Sequence, residues 1–191
     1  MSRALWVLVS WVAIAGAGAL GRAEFRQQDV DGRLHDLFQP ADKANVLLFV
    51  SSDCPVSNGY APEIQRICAA ARARDVMCAL VYEDASIDAA AVRAHREQYR
   101  YGGMAAVIDR DRSLAERVKA TVTPEAVVIA RGGAVKYRGR IDNQYAALGK
   151  PRQVVTVHDL RDAIDAVVKG QAVAHPDTEA FGCFIPRRNP S

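Results

Sequence analysis

The chain has 191 residues, with 25 Lys and Arg against 22 Asp and Glu, a net charge of +3, and half of its residues hydrophobic. Acidic and basic residues are interspersed, and no basic run or aromatic–basic interleaving is present, which argues against a nucleic-acid partner. Arg3 precedes an apolar or small run over residues 4–20, closed by Gly21, Arg22 and Ala23. A charged start, an apolar middle and a small-residue exit predict a secretory signal peptide over residues 1–23, cleaved after Ala23. Left uncleaved, the run would be a membrane anchor, although it falls short of the roughly 20 apolar residues a spanning helix needs; a membrane partner enters only in that case. The predicted location is periplasmic or secreted. Both tryptophans, Trp6 and Trp11, leave with the leader.

What remains has a size that one compact domain fills. We place the domain at residues 24–170 and a C-terminal tail at residues 171–191, rich in Pro and polar residues and carrying Cys183. Asp31-Gly32, between polar–apolar stretches over residues 25–37, suits a short β-hairpin. Residues 45–51 (NVLLFVS) form a continuous apolar run, the pattern of a strand buried on both faces. Cys54-Pro55 follows at once, then a helix to about residue 74 with Ile64, Ile67 and Cys68 on its inner face. A second buried strand spans residues 76–82, and Ser86 is placed as the N-cap of a helix to about residue 99. A short strand at 105–108 and a short helix at 113–119 come next. Thr123-Pro124 introduces a strand at 125–130, and Gly132-Gly133 turns the chain into its antiparallel partner at 134–140. Thr156 and Asp159 form a predicted capping box for a last helix ending at Gly170. This order, βαβ then ββα, predicts a three-layer α/β sandwich with a mixed central β-sheet. It is similar to the thioredoxin arrangement.

Four cysteines, Cys54, Cys68, Cys78 and Cys183, would meet an oxidising compartment. Cys54 sits where a buried strand ends and a helix begins, so unpaired N–H groups there favour its thiolate. The expectation is an exposed, reactive thiol. Its motif is Cys54-Pro55-Val56-Ser57, a monothiol form in which Ser57 can donate a hydrogen bond to the thiolate but cannot bond to it covalently. Cys183, flanked by Gly182, Phe184 and Ile185 in an otherwise polar tail, suggests a segment that docks on the body. Docked near Cys54 it would act as a resolving thiol; a structural disulfide or a buried thiol are the alternatives. Cys68 and Cys78 are placed as core thiols, with a disulfide open to them if their Cα atoms lie within about 7 Å.

The stretches SSDCPVSNGYAPE, TPEAVVI with YRGRID, VTVHDLRDAIDAV and GCFIP resemble exported redoxin-domain proteins. These belong to the thioredoxin-like group that includes the alkyl-hydroperoxide-reductase and thiol-specific-antioxidant proteins. The resemblance covers nearly all of residues 25–186. It implies a thioredoxin fold, a redox role for Cys54 and a cis bond at Pro124, with the backbone of Thr123 free to pair with a bound peptide strand. The function implied is thiol-disulfide oxidoreduction, with a protein disulfide as substrate, an external thiol as reductant and no cofactor. A thiol peroxidase is the alternative within the group. Its motif would align Leu47, Ser51 and Cys54; Ser51 and Cys54 fit, Leu47 stands where the motif has Pro, and Arg138 or Arg140 would supply the cation. A third reading is a non-catalytic binding module or metal carrier. Sco-type copper chaperones carry a close cysteine pair whose second member would fall at Ser57 or Asn58 here, leaving Cys54, Cys183 and His175 as the soft-metal set.

Overall fold

The computed structural model describes residues 26–186; the predicted leader lies outside them. In chain order the elements are β1 (Arg26–Gln28), β2 (Leu34–Asp36), β3 (Ala44–Phe49), α1 (Pro55–Gly59), α2 (Ala61–Arg72), β4 (Val76–Tyr82), α3 (Ala89–Gln98), β5 (Ala105–Ile108), α4 (Ser113–Val118), β6 (Val122–Thr123), β7 (Glu125–Ala130), β8 (Val135–Gly139), β9 (Tyr145–Ala147), β10 (Lys150–Pro151), α5 (Asp159–Val168) and β11 (Cys183–Phe184). The central sheet has the order β5-β4-β3-β7-β8. Strands β5, β4 and β3 run parallel, and β7 and β8 are antiparallel additions. The mixed α/β sandwich is the predicted fold class.

Strand β3 is the spine because it can be apolar on both faces. Side chains alternate across a strand, so Val46 and Leu48 enter the core under α2 and α5, while Leu47 and Phe49 enter the core under α4. All four are fully buried. Truncating such a side chain to Ala costs about 2–5 kcal/mol. Asn45, the one polar residue of this strand, is satisfied by donating to the carbonyls of Asp36 and Leu37 at 3.1 and 3.0 Å, which ties the β1–β2 hairpin to the sheet.

Three local expectations need correction. The helix after Cys54 is two helices: Pro62 has no N–H, and its ring would collide with the carbonyl four residues back, so α1 stops at Gly59 and α2 restarts. The cap of α3 is Asp88, whose carboxylate accepts the Ala91 N–H at 2.7 Å; Ser86 instead closes a turn on Asp84. Thr156 does not cap α5, because its hydroxyl accepts from the Asn143 amide at 2.8 Å.

Cys68 and Cys78 are not separate core thiols. Their Cα atoms are 5.8 Å apart and they form a disulfide joining α2 to β4. The placement follows from the packing of α2 directly on β4. No helix of the described residues is long and apolar enough to cross a membrane.

Candidate active site at Cys54 and Cys183

The chain leaves β3 at its C-terminal end, and the Ser51–Cys54 turn brings the Cys54 sulfur to the start of α1. There Cys54 is itself the N-cap, its sulfur receiving the Ser57 backbone N–H at 3.5 Å. This directed donor matters more than the dipole of so short a helix. The Ser57 hydroxyl, expected to face the thiolate, is turned the other way and accepts the Ser51 N–H at 3.3 Å. The turn is braced from below. The Asn58 amide donates to the Ser52 carbonyl at 2.7 Å and its oxygen accepts from His95 Nε2 at 2.9 Å. His95 Nδ1 then takes the Tyr82 hydroxyl at 2.8 Å. These partners fix the neutral Nε2–H tautomer, and burial pushes the imidazolium down against the opposing pull of Asp53. Nothing in the local sequence marks this bracing set.

Thr123-Pro124 lies opposite, with a cis peptide bond. The Cys54 thiol donates to the Thr123 carbonyl at 3.1 Å. The short β6 that carries Thr123 is held by Glu125, whose carboxylate accepts the N–H groups of Thr121 and Val122 at 2.7 and 3.3 Å.

The tail completes the site. Strand β11 pairs antiparallel with β6, Cys183 opposite Thr123 and Phe184 opposite Val122. The Ile185 N–H extends the pairing to the Thr121 carbonyl at 2.9 Å. Upstream, the tail is fastened to β8: the Arg138 N–H donates to the Pro176 carbonyl at 2.8 Å, and the Thr178 N–H donates to the Arg138 carbonyl at 3.1 Å. Gly139 makes room for Thr178, since any Cβ there would overlap it. Both Cys54 and Cys183 are free thiols.

This arrangement corrects the expectation of an exposed Cys54. Cys54 is 1% exposed because Thr123 and the tail close over it, and the accessible thiol is that of Cys183. The two sulfurs perturb each other in opposite senses. Burial opposes ionisation of Cys54, but the Cys183 thiol, the Ser57 and Cys183 N–H groups and the Thr123 hydroxyl together outweigh it, holding Cys54 below the ordinary thiol range. Burial and the neighbouring Cys54 push Cys183 up to about 11. Of the two thiols, Cys54 is the more readily ionised.

The residues aligned with a peroxidase motif are committed elsewhere. Ser51 Oγ accepts the Asp53 N–H at 3.3 Å, Arg138 pairs with Asp177 at 2.7 Å, and Arg140 pairs with buried Asp159 at 2.7 Å. Among the described residues, the one grouping with metal-ligand spacing is Glu63, Asp142 and His158, which includes none of Cys54, Cys183 and His175. Glu63 already carries Arg66 and Arg161, each at 2.7 Å, and Asp142 accepts the Tyr60 hydroxyl and the Gln144 N–H at 2.8 Å each, so two of the three groups are engaged.

No family model and no curated protein matches the sequence. Solved structures do. A hypothetical protein of Sinorhizobium meliloti superposes with a TM-score of 0.72 at 24% identity, covering 86% of this chain and 91% of that one. A secreted Mycobacterium tuberculosis disulfide oxidoreductase homologous to E. coli DsbE matches with a TM-score of 0.53 at 19% identity, over 80% of this chain and 99% of that one. The exposed lipoprotein thioredoxin Etrx1 of Streptococcus pneumoniae matches with a TM-score of 0.55 at 19% identity, over 76% and 98%. The chain has a thioredoxin-like fold. At these identities the likeness concerns the fold, so the chemistry rests on the site.

Proposed function

We propose that the protein is an exported thiol-disulfide oxidoreductase in which Cys54 attacks and Cys183 resolves. The observation that carries the reading is the pairing of Cys183 with Thr123, which sets a protonated thiol against a thiolate-prone one. It supplies, from the tail, the second sulfur that Ser57 does not provide. The similarity to a secreted disulfide oxidoreductase and to an exposed lipoprotein thioredoxin supports the same reading.

The Cys54 thiolate attacks one sulfur of a partner disulfide; the partner S–S bond breaks, a mixed disulfide forms, and the second partner sulfur leaves as a thiolate that takes a proton from solvent. Cys183 then loses its proton and attacks Cys54. The first partner sulfur departs, the partner gains two electrons, and a Cys54–Cys183 disulfide remains. An external thiol reductant returns the pair to its dithiol state, and the cycle runs backwards when the partner dithiol is the stronger reductant. Thr123 and Pro124 position the strand that presents the sulfur, and Ser57 contributes its N–H to the Cys54 thiolate. The engagement of Arg138 and Arg140 elsewhere favours disulfide exchange over peroxide reduction.

A disulfide map by mass spectrometry across a graded glutathione redox series tests this. The expected result is a Cys54–Cys183 bond that forms and reduces reversibly while Cys68–Cys78 stays closed. A Cys54 that never pairs with Cys183 at any poise would sink the two-cysteine cycle.

A further inference from the structure

An exchange partner has to offer its backbone to Thr123, yet Thr123 is already taken. The tail occupies the strand position beside β6, with Cys183 in register against Thr123, whose carbonyl accepts the Cys54 thiol. We propose that Gly182–Ile185 is a built-in stand-in for the partner, so that its own side chains describe the substrate: an extended segment of the type small–Cys–any–aliphatic. The inference rests on Cys54 being the exchanging thiol.

Each position of that pattern comes from a contact. Gly182 is buried against the turn, and any Cβ on it would overlap the Thr123 carbonyl, so the residue before the cysteine has to be very small. Cys183 lies opposite Thr123, the residue whose carbonyl accepts the Cys54 thiol. Side chains alternate along a strand, and Phe184 is accordingly 83% exposed, only bordering the groove beside Ile185, so this position makes the weakest demand. Ile185 turns back to the protein and packs against the core of Leu114, Ala115, Val118 and Ala120 around α4. A groove of about 530 Å³ beside it is lined by Ala115, Ala120 and Thr121 of the body, among others, and by Phe184, Ile185 and Pro186 of the tail. Backbone pairing supplies affinity and the alternate pockets supply selectivity, as in strand-addition recognition generally.

The site therefore has one slot for two strands used in turn. The tail leaves, the partner strand pairs with Thr123 and forms the mixed disulfide with Cys54, and as that strand's backbone lets go of Thr123 the tail re-pairs there and Cys183 attacks Cys54 to release the partner sulfur. The tail can leave from Gly182 onward while its Pro176–Thr178 fastening to β8 stays in place, because that fastening is separate from β11.

The test uses the full chain carrying Cys183→Ser, in which a mixed disulfide at Cys54 is not resolved. Its reaction with the peptide Ala-Gly-Cys-Phe-Ile-Pro, supplied as the mixed disulfide with glutathione, is followed by mass spectrometry. Peptides with Val in place of the Gly, or Asp in place of the Ile, should react about ten-fold more slowly. Adding Gly182→Val to the protein, which evicts the tail, should raise the rate with the parent peptide. Equal rates for all three peptides, with ordinary reactivity toward glutathione disulfide, would overturn the stand-in while leaving the oxidoreductase reading in place. A folded protein whose Cys54 reacts with none of these disulfides overturns both. The peptide comparison needs no Gly182 variant, so a misfolded Gly182→Val chain does not blunt the test.

Discussion

Two cysteine pairs sit in one chain, and they differ in how they are held. Cys68 and Cys78 are on α2 and β4, adjacent elements whose packing is set by Ile64, Ile67 and Leu80, and both cysteines are nearly buried. Cys54 and Cys183 meet across most of the sequence, one buried at the head of α1, the other exposed on a two-residue strand. The first pair is closed by elements that would pack without it. The second is brought together by a few backbone hydrogen bonds that can be exchanged. A bond whose ends are rigid secures the fold; a pair with one end on a detachable strand can cycle.

Breaking the first pair should give the largest effect on stability and the least on chemistry. The Cys68→Ala, Cys78→Ala double variant removes a cross-link spanning 10 residues of sequence separation, which lowers unfolding free energy by about 2–3 kcal/mol. Urea unfolding measures this, and exchange rates at Cys54 should stay within about two-fold. A comparable loss of activity would mean that the core bond also tunes the site.

Removing the other sulfur should do the reverse. Cys183→Ala deletes a donor that holds the Cys54 thiol down, so the folded-state pKa rises and the midpoint of its iodoacetamide-reactivity profile moves to higher pH. Alkylation follows the thiolate, which gains population as pH rises through that midpoint. Global stability should change by less than about 0.5 kcal/mol, as for a surface substitution. An unmoved midpoint would show that the Ser57 and Cys183 N–H groups hold the thiolate alone.

The smallest effect is expected at Ile185→Ala. The tail strand should open more often, seen as faster hydrogen exchange at the Cys183 and Ile185 amides, with the melting temperature nearly unchanged. Protection equal to the parent chain would place the anchor of the tail in its backbone pairing alone.

These contrasts mark what the sequence discloses. Strands β3, β4 and β7 are legible as unbroken apolar runs, and the order of Cys54 and Thr123-Pro124 along them is enough to set the two halves of the site facing each other. Period and order are local information. The disulfide depended on a Cα separation between neighbouring elements, which no spacing of letters encodes. Cys54 reads as exposed when its turn is taken without the strand that covers it. Ser57 reads as a hydroxyl donor, while the backbone geometry of an N-cap makes its N–H the donor. The break at Pro62 was visible in principle, since a proline one turn into a helix removes a ladder bond. The docking of the tail left one legible trace, an apolar Gly-Cys-Phe-Ile patch in a polar segment, though its register against Thr123 did not.

The fastening of the tail to β8 has a consequence of its own. β8 ends the central sheet, and an outermost strand with unpaired amides and carbonyls is a template for joining another molecule. The N–H and carbonyl of Arg138 are spent on Pro176 and Thr178 instead. The connection that leads there, residues 171–175, is mostly exposed. A single proteolytic cut in that connection would then do more than separate Cys183 from Cys54: it would uncap the rim of the sheet and turn a monomer-compatible surface into an aggregation seed.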